Sequence, residues 1–148
     1  MGPLKWVTRQ GAKVDRVACP WLILRFIDKE AEFLFVPAEE VDKVAEREGA
    51  VPFDTKGAKL GHRGRECSFD AIVHDFAVKD PAVLELARIV RAADVASERG
   101  TAAEGAGLEL LAEGFRRIAK DDHENLRLQL PAYDALFAAI QARQAKGP

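Results

Sequence analysis

Only two cysteines, Cys19 and Cys67, occur in the 148 residues of this chain, along with one methionine and one tyrosine. Two thiols without CxxC spacing cannot build the disulfide framework of a small secreted domain, so reduced thiols are expected. Long hydrophobic runs are missing too. No segment approaches the roughly 20 apolar residues that cross a bilayer, and residues 1–15 are too charged to hold a signal-peptide core. The expectation is a cytoplasmic protein with no membrane partner. Neither sign of charge dominates: residues 1–74 carry 12 Lys+Arg and 12 Asp+Glu, and residues 75–148 carry 10 and 12. Without a basic half to neutralise a phosphate backbone, nucleic acid is not an expected partner. GxxxxGK[ST], GxSxG and HExxH are all absent, which removes the required parts of a nucleotide hydrolase, a serine hydrolase and a zincin.

What is present is enough material for one core: 48% hydrophobic and 31% charged residues, in a length usual for a single domain, here residues 1–148. Lys5 to Arg9 alternates polar and apolar side chains, the period of a half-buried strand, and Gly11 ends it. A first apolar helix follows through Trp21 to Ile27. Its start is either Asp15 as a cap or, with Pro20 at the first helical position, Cys19. Glu32 to Val36 reads as a buried strand, and Val41 to Glu48 as a charged helix stopped by Gly49. Residues 50–65 look like strand or loop pieces cut by glycines. Ser68 opens a helix running to Phe76, and Asp80-Pro81 is a strong start for the next one. Ser97 to Gly107 reads as a flexible connection. Two further segments keep helical spacing, through Leu108 to Ile118 and Leu126 to Ile140, the last with a break expected at Pro131. Strands mixed with helices, then helices alone, describe an α+β domain: a small sheet with a predominantly helical second half, and the Lys59–Cys67 loop where the halves meet.

Three histidines limit the sites for chemistry. His62 lies in a glycine-flanked stretch with Glu66, Cys67 and Asp70, so an imidazole, carboxylates and a thiol fall within nine residues. That donor set suits a divalent metal such as zinc or iron; a core thiol beside a solvated acid is the plainer reading of the same residues. Asp121-Asp122-His123-Glu124 opens the last helix, where acids cap free N–H groups. Asp122 or His123 is the member best placed to act as ligand or base. Arg9 at a strand end and Arg16 near a helix start form a third candidate, a site for a tetrahedral oxyanion; an ion pair with Asp15 is the structural alternative. His74, between Val73 and Asp75, reads as a surface residue.

Several of these stretches, taken in order, resemble the ChrB-type chromate-resistance domain. They are Trp6 to Arg9, Val14 to Ile23, Arg25 to Asp28, Phe33 to Pro37, His62 with Cys67 to Asp70, Asp122-His123 and Tyr133 to Leu136. The resemblance runs from about Lys5 to Ala142. In longer relatives this is the C-terminal part, and the present chain looks like a stand-alone version of it. The resemblance implies a link to resistance against chromate, a tetrahedral dianion and strong oxidant.

The leading expectation is thus a metal-binding domain, enzyme or sensor, in which His62, Asp122 and His123 meet with Cys67 or Asp70 near them. The metal would bind an oxyanion or activate water. A non-catalytic module that holds a small anion on Arg9 and Arg16, or that binds another protein, is the alternative. Reduction of an oxidant by Cys19 and Cys67 ranks last, because it would consume both thiols. The even charge balance and abundance of small helices are compatible with a homodimer.

Overall fold

In the computed structural model, which describes residues 4–147, three strands form a parallel sheet in the order β2-β1-β3. The central strand β1 (Lys5–Arg9) pairs with β2 (Glu32–Val36) from Lys5↔Glu32 to Arg9↔Val36, and with β3 (Val51–Pro52) at Trp6↔Val51 and Val7↔Pro52. Pro52 is tolerated because β3 lies at the sheet edge, where a missing N–H costs no ladder bond. The alternation read along β1 is real. Trp6, fully buried, enters the main core; Val7 faces the other way and joins Val41, Val44 and Ala50 in a small second cluster.

The connections are helical, as parallel strands require. Helix α1 (Asp15–Phe26) joins β1 to β2, and α2 (Val41–Glu48) joins β2 to β3. Gly49 ends α2 with φ +63°, a left-handed conformation that an L side chain adopts at a cost. Residues Val17 to Ile23 are buried all round α1, the pattern of a helix sunk in the core and not one floating on it. Neither expected start of this helix is what forms. Asp15 is its first residue, Val14 precedes it as a cap without a side-chain bond, and Cys19 lies a turn inside, fully buried. Pro20 is accommodated within the helix, leaving only the Arg16 carbonyl without its i+4 donor.

The second half is helical: α3 (Ser68–Asp75), α4 (Pro81–Asp94), α5 (Glu104–Ile118) and α6 (Asp122–Ala145). Asp80 caps α4 as its sequence pair with Pro81 suggests, accepting from the amides of Ala82 at 2.8 Å and Val83 at 3.2 Å. Replacing Asp80 with Ala should lower stability by about 1 kcal/mol, read as a shift of the urea midpoint with an unchanged slope. Two expectations are corrected here. The supposed flexible connection is shorter than residues 97–107, because Gly105 and Gly107 lie inside α5. A Cβ on Gly105 would stand 2.9 Å from the Cβ of Ala92, so this glycine lets α5 approach α4 closely. Nor does Pro131 split the last helix, which runs unbroken from Asp122 to Ala145. Its apolar residues supply packing on both sides of the proline: Leu126, Tyr133 and Ile140 are all in the main core. The architecture is α+β, with the sheet in the first half and most of the helices in the second.

Candidate metal centre

Strand order β2-β1-β3 means that the chain leaves β1 in one direction and later returns to its other side. Loops at the carboxyl ends of β1 and β3 therefore diverge and leave a crevice, the place where open parallel sheets bind ligands. A cluster of charged and titratable side chains is gathered there. Arg9 ends β1, Asp15 opens α1, Asp54 lies just past β3, and His62 comes from the loop that follows. The loop's glycines and two isolated bridges, Phe53↔Leu60 and Arg63↔Glu66, bend it back across the sheet end. Asp94, the final residue of α4, completes the group from the helical half. The expectation that residues 59–67 lie where the halves meet holds.

Three carboxylates surround one imidazole. His62 Nε2 is 3.1 Å from Asp94 Oδ2, 3.4 Å from Asp54 Oδ1 and 3.5 Å from Asp15 Oδ2. The donor atoms of Asp15, His62 and Asp94 all lie within 4.8 Å of one another, close enough to share one ion. Asp15 is held firmly: its two oxygens accept from the backbone amides of Ser68 at 2.7 Å and Phe69 at 3.1 Å, so α1's first residue caps α3. Asp54 sits in the left-handed region at φ +47°, unusual for a residue with a Cβ and best tolerated by Asp and Asn. Its carboxylate accepts from the Ser68 hydroxyl at 2.8 Å and from Arg16 at 3.4 Å.

The electrostatic consequences follow from this crowding. Contacts with Asp15 first, then Asp54, raise the His62 imidazole to about 10 against the partial burial that opposes its charge. Asp94 is pushed up to about 7, first by burial and then by repulsion from Asp15 and Asp54. Burial also raises the carboxyl of Asp15. A cluster with this much negative charge in little water is short of positive charge, which a divalent cation would supply.

Beside the cluster lies an open cleft of about 400 Å³ bounded by Arg9, Asp54, His62 and the 55–58 loop with Lys56. Arg9 Nε donates to the Asp54 carbonyl at 3.3 Å, which leaves its other nitrogens for the cleft. Arg16 is more committed: it binds Asp54 and, through Nη2, the Gly11 carbonyl at 2.9 Å, while its buried Nε has no partner among the described residues.

Of the residues singled out from sequence, His62 alone stands in the three-donor group. Asp122 is spent on backbone: its oxygens accept from the amides of Ala12 at 2.7 Å and Gly11 at 3.1 Å, clamping the β1–α1 loop onto α6. His123 packs edge-on against Phe35 of β2, with ring centroids 5.2 Å apart. Asp70 accepts from the Cys67 amide at 3.0 Å and from Arg91 at 2.8 Å, closing a capping box at the start of α3. The Cys67 thiol donates to the same carboxylate at 3.2 Å, and burial pushes its pKa up; burial does the same to Cys19. Both thiols are buried and held protonated, a poor state for nucleophiles or soft ligands. His74 is exposed beside Asp75, as expected. Sequence reasoning missed Asp54 and Asp94 entirely and took Asp15 only for a cap or an arginine partner. The available signal was faint: an acid just past a short strand, and an acid ending an amphipathic helix.

The fold and site define an α+β domain with an acid–imidazole cluster at the switch point of a small parallel sheet. The chain belongs to the ChrB C-terminal domain family, whose pattern matches residues 6–140. It is 39% identical over 121 residues to Protein ChrB of Cupriavidus metallidurans, an alignment covering 80% of this chain and 35% of that protein. The chain thus corresponds to about a third of that relative's length. No solved structure matches it. Among the described residues, no helix is long and apolar enough to cross a membrane.

Proposed function

We propose that Asp15, His62 and Asp94 bind a divalent cation, and that Arg9 helps to hold a small oxyanion in the cleft beside it. The observation that carries this reading is the convergence of three donor atoms within 4.8 Å at the carboxyl ends of the parallel strands. One imidazole with carboxylate oxygens is a borderline-to-hard ligand set, suited to zinc or ferrous iron and equally to manganese. With the thiols withdrawn, soft-metal chemistry has no support from the ligands. Three protein donors leave coordination positions open towards the cleft, which is the arrangement that lets a metal act as a Lewis acid towards a bound anion or water. Arg9 offers planar donors to the oxygens of such an anion. Chromate fits this chemistry, and the kinship with ChrB makes it the first anion to try. Arg16, read from the sequence as a companion to Arg9 at the anion, donates to Asp54 and to the Gly11 carbonyl, so Arg9 carries more of this role.

Isothermal titration of chelator-stripped protein with Zn²⁺ and Mn²⁺, and with Fe²⁺ under anaerobic conditions, tests the cation. His62→Ala should weaken binding by about 100-fold or more, the scale reached even by losing a residue that only supports a ligand. Chromate, sulfate and phosphate added to the metal-loaded protein test the anion, with Arg9→Ala as the control. Wild-type protein that takes up no metal, or His62→Ala that binds it equally well, would falsify the centre; anion binding indifferent to both metal and Arg9 would remove the second half of the reading.

A further inference from the structure

The cleft beside the candidate metal centre is larger than a free oxyanion needs. A tetrahedral oxyanion takes the space of about two or three waters, at roughly 30 Å³ each, whereas about 400 Å³ lies open between Arg9, His62 and the 55–58 loop. That volume falls in the range of about 300–1,000 Å³ typical of sites for organic ligands. Along the loop the lining is short of side chains. Gly57 turns with φ +82°, and a Cβ on it would meet nothing within 4 Å; Ala58 follows with a single methyl. Gly61 lets the returning chain pass close to this loop, since a Cβ there would stand 3.1 Å from the Ala58 carbonyl oxygen. The result is a stretch of mostly bare backbone next to the metal centre, with room for the body of a ligand.

Charge bears on the head of that ligand. Every arginine except Arg9 and the exposed Arg65 pairs with a carboxylate among the described residues. Within the cleft, Asp54 is matched by Arg16. A divalent cation would be matched by the carboxylates of Asp15 and Asp94, with His62 neutral as a ligand. Two cations are left over, because neither Arg9 nor Lys56 meets a carboxylate among the described residues; Arg9 Nε donates only to the Asp54 carbonyl. Two unmatched positive charges call for a dianion. A phosphate monoester supplies a charge of about −1.5 to −2 at neutral pH, and a carboxylate would leave one cation unmatched.

We infer that the ligand of this cleft is an organic phosphate monoester. Its phosphate spans the metal at His62 and the Arg9 guanidinium, with Lys56 as the second cation, and its organic body lies along Gly57 and Ala58. With the metal centre proposed above as its foundation, the anion thereby becomes the head of a larger molecule, and chromate a mimic of that head in shape and charge.

Calorimetric titration of the Mn²⁺-loaded chain with glycerol 3-phosphate, ribose 5-phosphate and phenyl phosphate, each against inorganic phosphate, provides the test. At least one ester should bind about tenfold or more tightly than inorganic phosphate, and the parent alcohols should not bind measurably. Lys56→Ala should weaken ester and inorganic phosphate alike, by about tenfold. Ala58→Trp fills the part of the cleft assigned to the organic body, at a partly exposed position where the fold, read by circular dichroism, should be unchanged. It should abolish the advantage of the ester while metal uptake and affinity for inorganic phosphate stay close to those of wild type. A chain that takes up no metal removes the centre and this ligand together. Metal uptake with inorganic phosphate bound as tightly as all three esters overturns the ester alone, and so does an advantage that Ala58→Trp leaves intact.

Discussion

Asp94→Asn should cut metal affinity by about 100-fold or more and, in the same protein without metal, raise the unfolding midpoint. The two effects have one cause. Asp94 is mostly buried and 3.1 Å from His62, but Asp15 and Asp54 face the same spot, and together with burial they push its carboxyl up to about 7. A charge crowded in this way destabilises the fold until something neutralises it. An amide of the same shape removes the repulsion and also the anionic ligand. Gain of stability with loss of binding is the signature of a site strained for function, whereas a purely structural acid would lose stability when neutralised. Thermal melts of the stripped and metal-loaded forms of both proteins provide the check. Asp94→Asn that melts earlier than wild type without metal would mean that the carboxylate is held by favourable contacts and not by a missing cation.

The same groups set the pH dependence of the metal-free protein. The folded-state pKa of Asp94 lies above its ordinary 3.8, so the folded state holds that proton more tightly and stability falls as pH rises from about 4 to about 7. His62 is raised from 6.5 to about 10; its stabilising contribution is complete below 6.5 and disappears as pH climbs through 10. Both act in one direction, and the stripped protein should melt highest in mildly acidic buffer. Bound metal should reverse the trend, because protons compete with the ion for His62 and the carboxylates and metal binding stabilises only the folded form. Melting curves between pH 5 and 9, with and without metal, should therefore converge towards acid and separate towards neutrality.

Asp15→Ala should cost about 2–5 kcal/mol of folding stability, far more than an average surface change. Asp15 is 1% exposed and its oxygens accept from the Ser68 and Phe69 amides, which begin α3 and have no other acceptor once the carboxylate is gone. Relief of repulsion with Asp54 opposes this loss. Two orphaned buried amides, at about 1–3 kcal/mol each, outweigh it. Asp15→Asn keeps an oxygen for one of them and should recover much of the stability while still failing to bind metal. Urea unfolding separates the three proteins. If Asp15→Ala unfolds at the wild-type midpoint, the first residue of α1 is not what secures α3.

How much of this was legible before folding differs between fold and site. Alternation along Lys5–Arg9, the Gly49 stop and the Asp80-Pro81 start each depend on neighbours within a few residues, and each forms as read. Pro20 and Pro131 did not break their helices because the apolar surface on either side outweighs one missing hydrogen bond, a balance that only the packed core reveals. Around the site, sequence proximity misled. Cys67 and Asp70 are near His62 along the chain, yet they turn to each other at the start of α3. Asp122 carries an acid–histidine motif but spends its charge on the Gly11 and Ala12 amides.

The amino-acid order by itself determined the α+β layout and the family, and it singled out His62 in its glycine-bordered bend as a candidate. Tertiary structure alone decided which acids meet that imidazole. Asp15, Asp54 and Asp94 come from three separate stretches: strand order carries the first two to one sheet end, and the packing of α4 brings the third. A parallel sheet joins residues far apart in the chain at the carboxyl ends of its strands, and no local pattern records that meeting.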